Sequence, residues 1–166
     1  SIGRDPFEIK YFNQIVFDDY SSRRGSMEIF AALSGIEQAL WDICGKSTNL
    51  PVHKLLGGPC RGKLRVYANG WYAGSVKPED YAEKAKKMVD QGYSALKFDP
   101  IPGPFRSMIS KINLKQSVET VKQVRNAVGD NVDLLIEVHR RFSPMTAIEF
   151  AKGIEEFDPF WFEEPC

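Results

Sequence analysis

The 166-residue sequence lacks any apolar run near the roughly 20 residues that span a bilayer, and its start lacks the apolar segment of a secretion signal. It has no excess of charge of either sign, with 22 basic and 22 acidic residues, and no long cluster of Lys and Arg. These absences argue against a membrane protein and against a nucleic-acid partner. We therefore expect a cytoplasmic protein.

Cysteine is scarce as well. The three cysteines, Cys44, Cys60 and Cys166, are odd in number and lack metal-ligand spacing, which indicates reduced thiols rather than a disulfide framework. Apolar side chains, in contrast, make up 43% of the residues, which is enough for one ordinary core. The composition is therefore that of a globular protein and not of a disordered one.

One amphipathic helix is predicted from Met27 onward. Apolar residues recur there at steps of three and four positions, and Gly45 is expected to close the helix. The residues on this period are Ile29, Phe30, Leu33, Ile36, Leu40 and Ile43. Pro51 and the run Gly57-Gly58-Pro59 then predict a turn-rich connector.

After Lys63, short apolar strands alternate with helices. The predicted strands are 64–69, 95–98, 132–137 and 160–163, and the predicted helices are 78–89, 114–128 and a third that Ser143 and Pro144 begin. Such alternation implies parallel strands joined by right-handed crossovers. The predicted fold class is therefore α/β.

A barrel fits this pattern better than an open dinucleotide-binding sheet. The residues after the first predicted strand, Asn69-Gly70-Trp71-Tyr72-Ala73-Gly74, do not form the glycine fingerprint of such a sheet. Four βα units make only the first half of a TIM-type barrel, which typically has about 250 residues. The chain also ends directly after a predicted strand, so we expect it to be a piece of a longer protein.

Polar residues at the carboxyl ends of barrel strands face the substrate. The third predicted strand ends in Glu137, and the two-residue period of a strand puts His139 on the same face, followed by Arg141 if the strand stays extended. The fourth predicted strand ends in Glu163. Two carboxylates converging from neighbouring strands suit Mg²⁺, although each one alone is equally well read as a solvated loop residue.

Two signatures in the chain resemble the mandelate racemase and muconate lactonizing enzyme family of the enolase superfamily. The first covers residues 32–46 and 51–58, and it is similar to the helix and connector that lead into that family's barrel. The second joins Glu137-Val138-His139 to Phe162-Glu163-Glu164-Pro165. The resemblance implies that residues 1–62 are the end of an α+β capping domain with the connector helix, and that residues 63–166 are the first four βα units of the catalytic barrel.

By the same resemblance, Glu137 and Glu163 are the first two ligands of a Mg²⁺ ion, and the third ligand lies outside this chain. Glu137 stands where Asp is commoner in the family. The chemistry that the superfamily shares is removal of a proton next to a carboxylate, with Mg²⁺ stabilising the resulting enediolate. The expected partner is thus a small carboxylate substrate.

The type of reaction is suggested by two departures from the racemase pattern. Lys97-Phe98-Asp99 replaces the Lys-x-Lys of racemases and cycloisomerases, and Glu137-Val138-His139-x-Arg141 resembles the galactonate and gluconate dehydratases. In those enzymes the His protonates the departing 3-hydroxyl. The resemblance therefore implies a hydro-lyase that converts an aldonic acid to a 2-keto-3-deoxy acid, with His139 as the catalytic acid.

Other charged and polar residues are weaker candidates. Lys97 either acts in catalysis or forms an ion pair that fills the barrel interior, while Asp99, Arg141 and Asn69 are candidate substrate ligands. A racemase, epimerase or cycloisomerase of the same family is one alternative function. A non-catalytic fragment is another, and we expect an isolated half-barrel to form a homo-oligomer.

Overall fold

The computed structural model describes residues 2–21, 26–103 and 108–166, without the side chains of residues 20 and 21. The chain divides into two compact units, Ser1–Leu64 and Arg65–Cys166. None of the helices in the described ranges is long and apolar enough to cross a membrane.

The first unit is built from helices: α1 spans Ile9–Val16 and continues as a π-helical turn over Phe17–Ser21, α2 spans Met27–Thr48, and α3 spans Val52–Leu55. The hydroxyl of Ser26 caps the start of α2 by accepting a hydrogen bond from the amide of Ile29. Asn49 ends this helix in the left-handed conformation, with φ of 55°.

The predicted end of α2 at Gly45 is wrong, since the helix continues to Thr48. Gly45 is buried within the helix, where a Cβ would lie 2.8 Å from the carbonyl oxygen of Leu50. The glycine therefore lets the returning backbone approach closely, and it does not break the helix.

The second unit alternates helices and strands, as the sequence predicts. Its elements are α4 (Pro78–Asp90), β1 (Ala95–Phe98), α5 (Lys111–Val128), β2 (Asp133–Glu137), α6 (Pro144–Ile154), a 3₁₀ turn (Glu155–Phe157) and β3 (Trp161–Glu163). The three strands form a parallel sheet in the order β1-β2-β3. The predicted parallel pairing is thereby confirmed for these strands.

The strand predicted over residues 64–69 is reduced to one bridge. Ala68 pairs with Leu96, and its amide and carbonyl bond to Ala95 and Lys97 at 2.9 Å each. The preceding Leu64 and Val66 are 75% and 64% exposed. Because these side chains bury little surface, their apolar alternation alone does not make this segment a strand.

One face of the sheet packs against the helices. The buried residues of this core include Leu96, Phe98, Leu134 and Ile136 from the strands and Val121, Val124, Phe150 and Ile154 from α5 and α6. Each such side chain contributes about 1.5–3 kcal/mol when fully buried. Since side chains alternate along a strand, Lys97, Glu137 and Glu163 point to the opposite face.

Candidate active site

Three charged side chains meet on the face of the sheet turned away from the helices, near the carboxyl ends of the strands. Lys97 comes from β1, Glu137 from β2 and Glu163 from β3. The parallel register pairs Glu137 directly with Glu163, and it pairs Lys97 with Leu135, two residues before Glu137. The sheet itself therefore brings these groups together.

The ammonium of Lys97 bridges the two carboxylates. Its Nζ lies 2.8 Å from Oε2 of Glu137 and 2.7 Å from Oε1 of Glu163. The side chains of Lys97 and Glu137 are only 12% and 5% exposed. Charge-assisted hydrogen bonds of this length are strong where solvent exposure is low, and they hold the three side chains in place.

The bridge shifts the pKa values of both Lys97 and Glu137. Burial alone would lower the pKa of Lys97, but its hydrogen bonds to Glu137 and Glu163 outweigh burial and raise that pKa above the usual lysine range. Burial alone would raise the pKa of Glu137, but the hydrogen bond from Lys97 and the amide of His139 lower it. At neutral pH, Lys97 is therefore protonated and Glu137 is ionised.

The remaining carboxylate oxygens differ in their partners. Oε1 of Glu137 accepts hydrogen bonds from the amides of Val138 at 3.0 Å and His139 at 2.8 Å. Oε2 of Glu163 is buried and, within the described structure, has no hydrogen-bond partner. A buried anionic oxygen without a partner is costly, and it is the kind of ligand that a divalent cation prefers.

The described residues do not by themselves form a metal site. No group of three or more His, Cys, Asp and Glu side chains in those ranges is arranged to hold a metal ion. The carboxylates of Glu137 and Glu163 fit a hard cation by their chemistry and by the unpartnered oxygen, but a cation would need further ligands from elsewhere.

The backbone leaves the strand immediately after Glu137. His139 and Arg140 both take the left-handed conformation, with φ of 55° and 56°, so the strand does not stay extended to Arg141, the condition on which the predicted alternation depended. The amide of Arg140 donates to the carbonyl of Glu164 at 2.7 Å, and that of Phe142 to Pro165 at 3.1 Å. The segments after β2 and β3 are thus bonded to each other, and non-glycine residues in this conformation often mark functional sites.

A second cluster forms around Asp99, which directly follows β1. Its Oδ2 lies 3.3 Å from Nδ1 of His139 and pairs with the guanidinium of Arg141, while its Oδ1 accepts from the amide of Ile101 at 2.9 Å. His139 Nδ1 is also 3.8 Å from Oε1 of Glu137. His139 therefore connects the two clusters.

Six of the seven predicted site residues lie in these two clusters: Lys97, Asp99, Glu137, His139, Arg141 and Glu163. Asn69 is exposed, and its Oδ1 accepts a hydrogen bond from the amide of the next residue, Gly70, at 2.8 Å. Asn69 thus stabilises a turn after the predicted strand 64–69. Its contact with substrate stays a prediction.

Sequence reasoning missed Tyr72. Burial, together with the negative charge of Asp99, raises the pKa of its hydroxyl, and its ring stacks on Tyr81 with centroids 6.0 Å apart. The neighbouring Trp71 packs 5.4 Å from the ring of Phe98. The adjacent aromatic residues Trp71 and Tyr72, shortly after the predicted strand 64–69, were the signal that could have drawn attention to Tyr72.

Comparison with known protein families decides where the chain belongs. Residues 80–166 match the family described as enolase C-terminal domain-like, and residues 2–57 match the N-terminal domain of mandelate racemase and muconate lactonizing enzymes. The chain belongs to the mandelate racemase/muconate lactonizing enzyme family. These matches confirm the predicted enolase-superfamily membership and the fold, a capping domain followed by part of a TIM-type barrel. They do not test the predicted boundary at residue 62.

Relatives within this family carry dehydratase names. The chain is 46% identical to the D-gluconate dehydratase of Thermoproteus tenax, over 99% of this chain and 33% of that protein. It is 44% identical to the D-gluconate/D-galactonate dehydratase of Picrophilus torridus, over 88% of this chain and 37% of that protein. The crystal structure of a candidate dehydratase from Mesorhizobium loti matches with a TM-score of 0.94 at 36% identity, over 99% of this chain and 45% of that one. This family member thus spans less than half the length of each relative.

Proposed function

We propose that the protein carrying this chain is a Mg²⁺-dependent hydro-lyase that dehydrates an aldonic acid, such as gluconate or galactonate, to a 2-keto-3-deoxy acid. The observation that carries the proposal is the position of His139, a proton donor within 3.8 Å of the carboxylate of Glu137 beside the Glu137–Glu163 pair. The gluconate and galactonate dehydratase names of two relatives support the same substrate class.

Glu137 and Glu163 are the residues of this chain that would hold the metal ion. When bound, Mg²⁺ supplies positive charge that offsets the charge developing on a substrate carboxylate as its α-proton leaves. The third ligand is expected outside this chain.

Lys97 contributes positive charge between the two carboxylates. Its hydrogen bonds to Glu137 and Glu163 raise its pKa, so the ammonium is protonated at neutral pH while it bridges them. Its catalytic role in the proposal is electrostatic, since it limits the repulsion between two carboxylates that must stay close together.

His139 is the proposed general acid. Its side chain is 57% exposed, so an incoming substrate can reach the ring. Loss of hydroxide from carbon is slow without a proton donor, and an imidazole is well suited to supply that proton near neutral pH. Arg141 and Asn69 remain the proposed contacts for substrate oxygens.

A racemase, epimerase or cycloisomerase is less well supported. Such enzymes of the family use a second lysine at the position of Asp99, and here that residue is a carboxylate already paired with Arg141. Its other oxygen is bonded to the amide of Ile101. Asp99 is therefore poorly placed to exchange protons with a substrate carbon.

A panel assay tests the proposal. The full-length protein carrying this sequence is incubated with a series of aldonic acids and Mg²⁺, and 2-keto-3-deoxy product is measured with and without EDTA. Product that EDTA abolishes is the expected result and defines the substrate. Exchange of the α-proton with deuterated solvent without loss of water would instead indicate the racemase or epimerase alternative. Neither product nor exchange from any acid would contradict the proposal and leave only the fold assignment. The expected homo-oligomer is tested separately by light scattering.

A further inference from the structure

We propose that Asp99 is a positioning residue for His139 and not a ligand of the substrate. This inference rests on the proposed dehydration for its kinetic consequences, but the contact itself can be tested without any turnover. It revises the sequence-based prediction, which assigned Asp99 to substrate binding.

Both carboxylate oxygens of Asp99 already have partners within the protein. Oδ1 accepts a hydrogen bond from the amide of Ile101 at 2.9 Å, and Oδ2 pairs with Arg141 and lies 3.3 Å from Nδ1 of His139. The side chain is only 15% exposed. A nearly buried carboxylate with both oxygens engaged is suited to orienting protein groups rather than to binding a ligand.

Arg141 ties this carboxylate to the turn that carries the histidine. Its Nε donates to the carbonyl of Val138 at 2.7 Å, and its Nη2 pairs with Oδ2 of Asp99. Because Asp99 directly follows β1 and Val138 directly follows β2, the arrangement connects the ends of two paired strands. The left-handed backbone at His139 places its Nδ1 next to the same Asp99 oxygen.

Asp99 is the nearer of two carboxylates to Nδ1. Glu137 Oε1 is 3.8 Å away and already accepts two amide hydrogen bonds. The separation of 3.3 Å to Asp99 is long for a formed hydrogen bond, but catalytic hydrogen bonds are often long before substrate binds and tighten in the complex. An ionised carboxylate only accepts, so it favours the ring form with the proton on Nδ1.

The chemical consequence concerns which nitrogen delivers the proton. With Nδ1–H held toward Asp99, the proton on Nε2 of the charged ring passes to the C3 oxygen as the C3–O bond breaks, and water leaves. A base not assigned to this chain takes the C2 proton, and the electrons of the C2–H bond form the C2–C3 double bond. The ring is left neutral with Nδ1–H, the form that Asp99 favours, and the enol product becomes the 2-keto-3-deoxy acid by tautomerisation.

The kinetic test compares Asp99→Asn with Asp133→Asn in the full-length protein carrying this sequence. Asp133 is a matched control, since it also pairs with an arginine, Arg65, but lies at the opposite end of β2. We expect Asp99→Asn to lower kcat about 10- to 1,000-fold with KM changed less than about threefold, which is part of the roughly 100- to 10,000-fold that a general acid contributes. Asp99→Glu, which keeps a carboxylate, should recover part of kcat. A rise in KM with unchanged kcat would overturn the proposal in favour of substrate binding.

A substrate with a good leaving group separates positioning of the acid from general damage. Loss of fluoride from a 3-deoxy-3-fluoro aldonic acid needs little proton donation, so the defect of Asp99→Asn should shrink at least tenfold with that compound. An equal defect with both substrates would mean that the variant harms the site as a whole, and it would contradict the proposal.

Nitrogen NMR tests the contact without catalysis. In a spectrum of the ring nitrogens of the full-length protein carrying this sequence, the signals that disappear in His139→Asn and in His53→Asn identify these two histidines, and His53 serves as an internal reference. We expect neutral His139 to carry its proton on Nδ1 in the unmodified protein and to lose that preference in Asp99→Asn, with His53 unchanged. Protonation on Nε2 in the unmodified protein would overturn the proposal. If no dehydration is found, the NMR result still decides whether Asp99 contacts Nδ1 of His139. Failure of the proposed function and failure of the positioning role are therefore distinguishable.

Discussion

Glu137 and Glu163 are paired residues in the parallel register of β2 and β3, and their carboxylates share one bridging ammonium. Two carboxylates at neighbouring strand ends repel each other unless a cation lies between them. The sheet therefore brings together two negative charges whose repulsion must be offset. The ammonium of Lys97 offsets it within this chain, and a bound metal ion would do the same.

Removing the bridging ammonium should destabilise the protein. We expect Lys97→Met to lower the free energy of unfolding by about 3 kcal/mol, the lower end of the range for breaking a buried ion pair, because Glu163 stays partly exposed. Urea unfolding measures the change. Lys87→Met, which breaks an exposed pair with Glu83, is the control and should have little effect. Unchanged stability in Lys97→Met would show that the bridge contributes nothing.

The stability of this cluster should depend on pH in a defined direction. The pKa of Glu137 is lowered in the fold, so its contribution to stability is fully present above the ordinary glutamate pKa of 4.5 and is lost as pH falls through the lowered value. The pKa of Lys97 is raised, so its contribution is present below the ordinary lysine range and is lost only as pH rises through the raised value.

The difference in melting temperature between the unmodified protein and Glu137→Gln measures this effect. It should be constant from about pH 6 to pH 9 and should shrink on acidification below the ordinary glutamate range. A difference that grows as the pH falls would have the wrong sign for a lowered pKa of Glu137.

Replacing the proposed acid should separate two steps of the reaction. We expect His139→Asn to slow dehydration about 100- to 10,000-fold, while exchange of the α-proton with deuterated solvent changes only a few-fold, because the ring is needed only when the C3–O bond breaks. Product assays and mass spectrometry of recovered substrate measure the two rates. His53→Asn is the control. Dehydration at the unmodified rate in His139→Asn would remove this residue from the mechanism.

Metal binding should depend on the unpartnered oxygen of Glu163. Glu163→Gln keeps the shape of the side chain but removes its charge, and we expect the affinity for Mg²⁺ to fall by more than about tenfold, with calorimetry as the measurement. Glu164→Gln is the matched control, since Glu164 is the next residue, is 46% exposed and pairs with Arg140. Equal Mg²⁺ affinity in both variants would argue against Glu163 as a ligand.

Much of this site could be predicted from the sequence because it depends on parallel strands. Once β2 and β3 are recognised, their carboxyl ends must lie at one edge, and Glu137 and Glu163 are then neighbours. The charge of Lys97 could be assigned to the same edge for the same reason, and its ion pair was one of the two predicted alternatives.

Other features could not be predicted because they depend on tertiary contacts. The left-handed conformation of His139 and Arg140 has no glycine to signal it, and it is held by a hydrogen bond to the backbone of Glu164, far along the chain. The engagement of Asp99 by Arg141 likewise joins two strand ends. The segment expected as a strand over 64–69 pairs with the described sheet only at Ala68, because Leu64 and Val66 are exposed, and an apolar pattern alone does not reveal that exposure.

The hydrogen bonds between the segments that follow β2 and β3 have a mechanical consequence. Because the amide of Arg140 is bonded to Glu164 and that of Phe142 to Pro165, the peptide carrying His139 is attached to the peptide that follows Glu163. Any shift at the end of β3 should therefore also move His139, the proposed proton donor. The distance between His139 and the carboxylate of Glu163 then depends on main-chain hydrogen bonds, which side-chain substitutions leave in place. Neighbouring side chains can therefore vary without changing this distance.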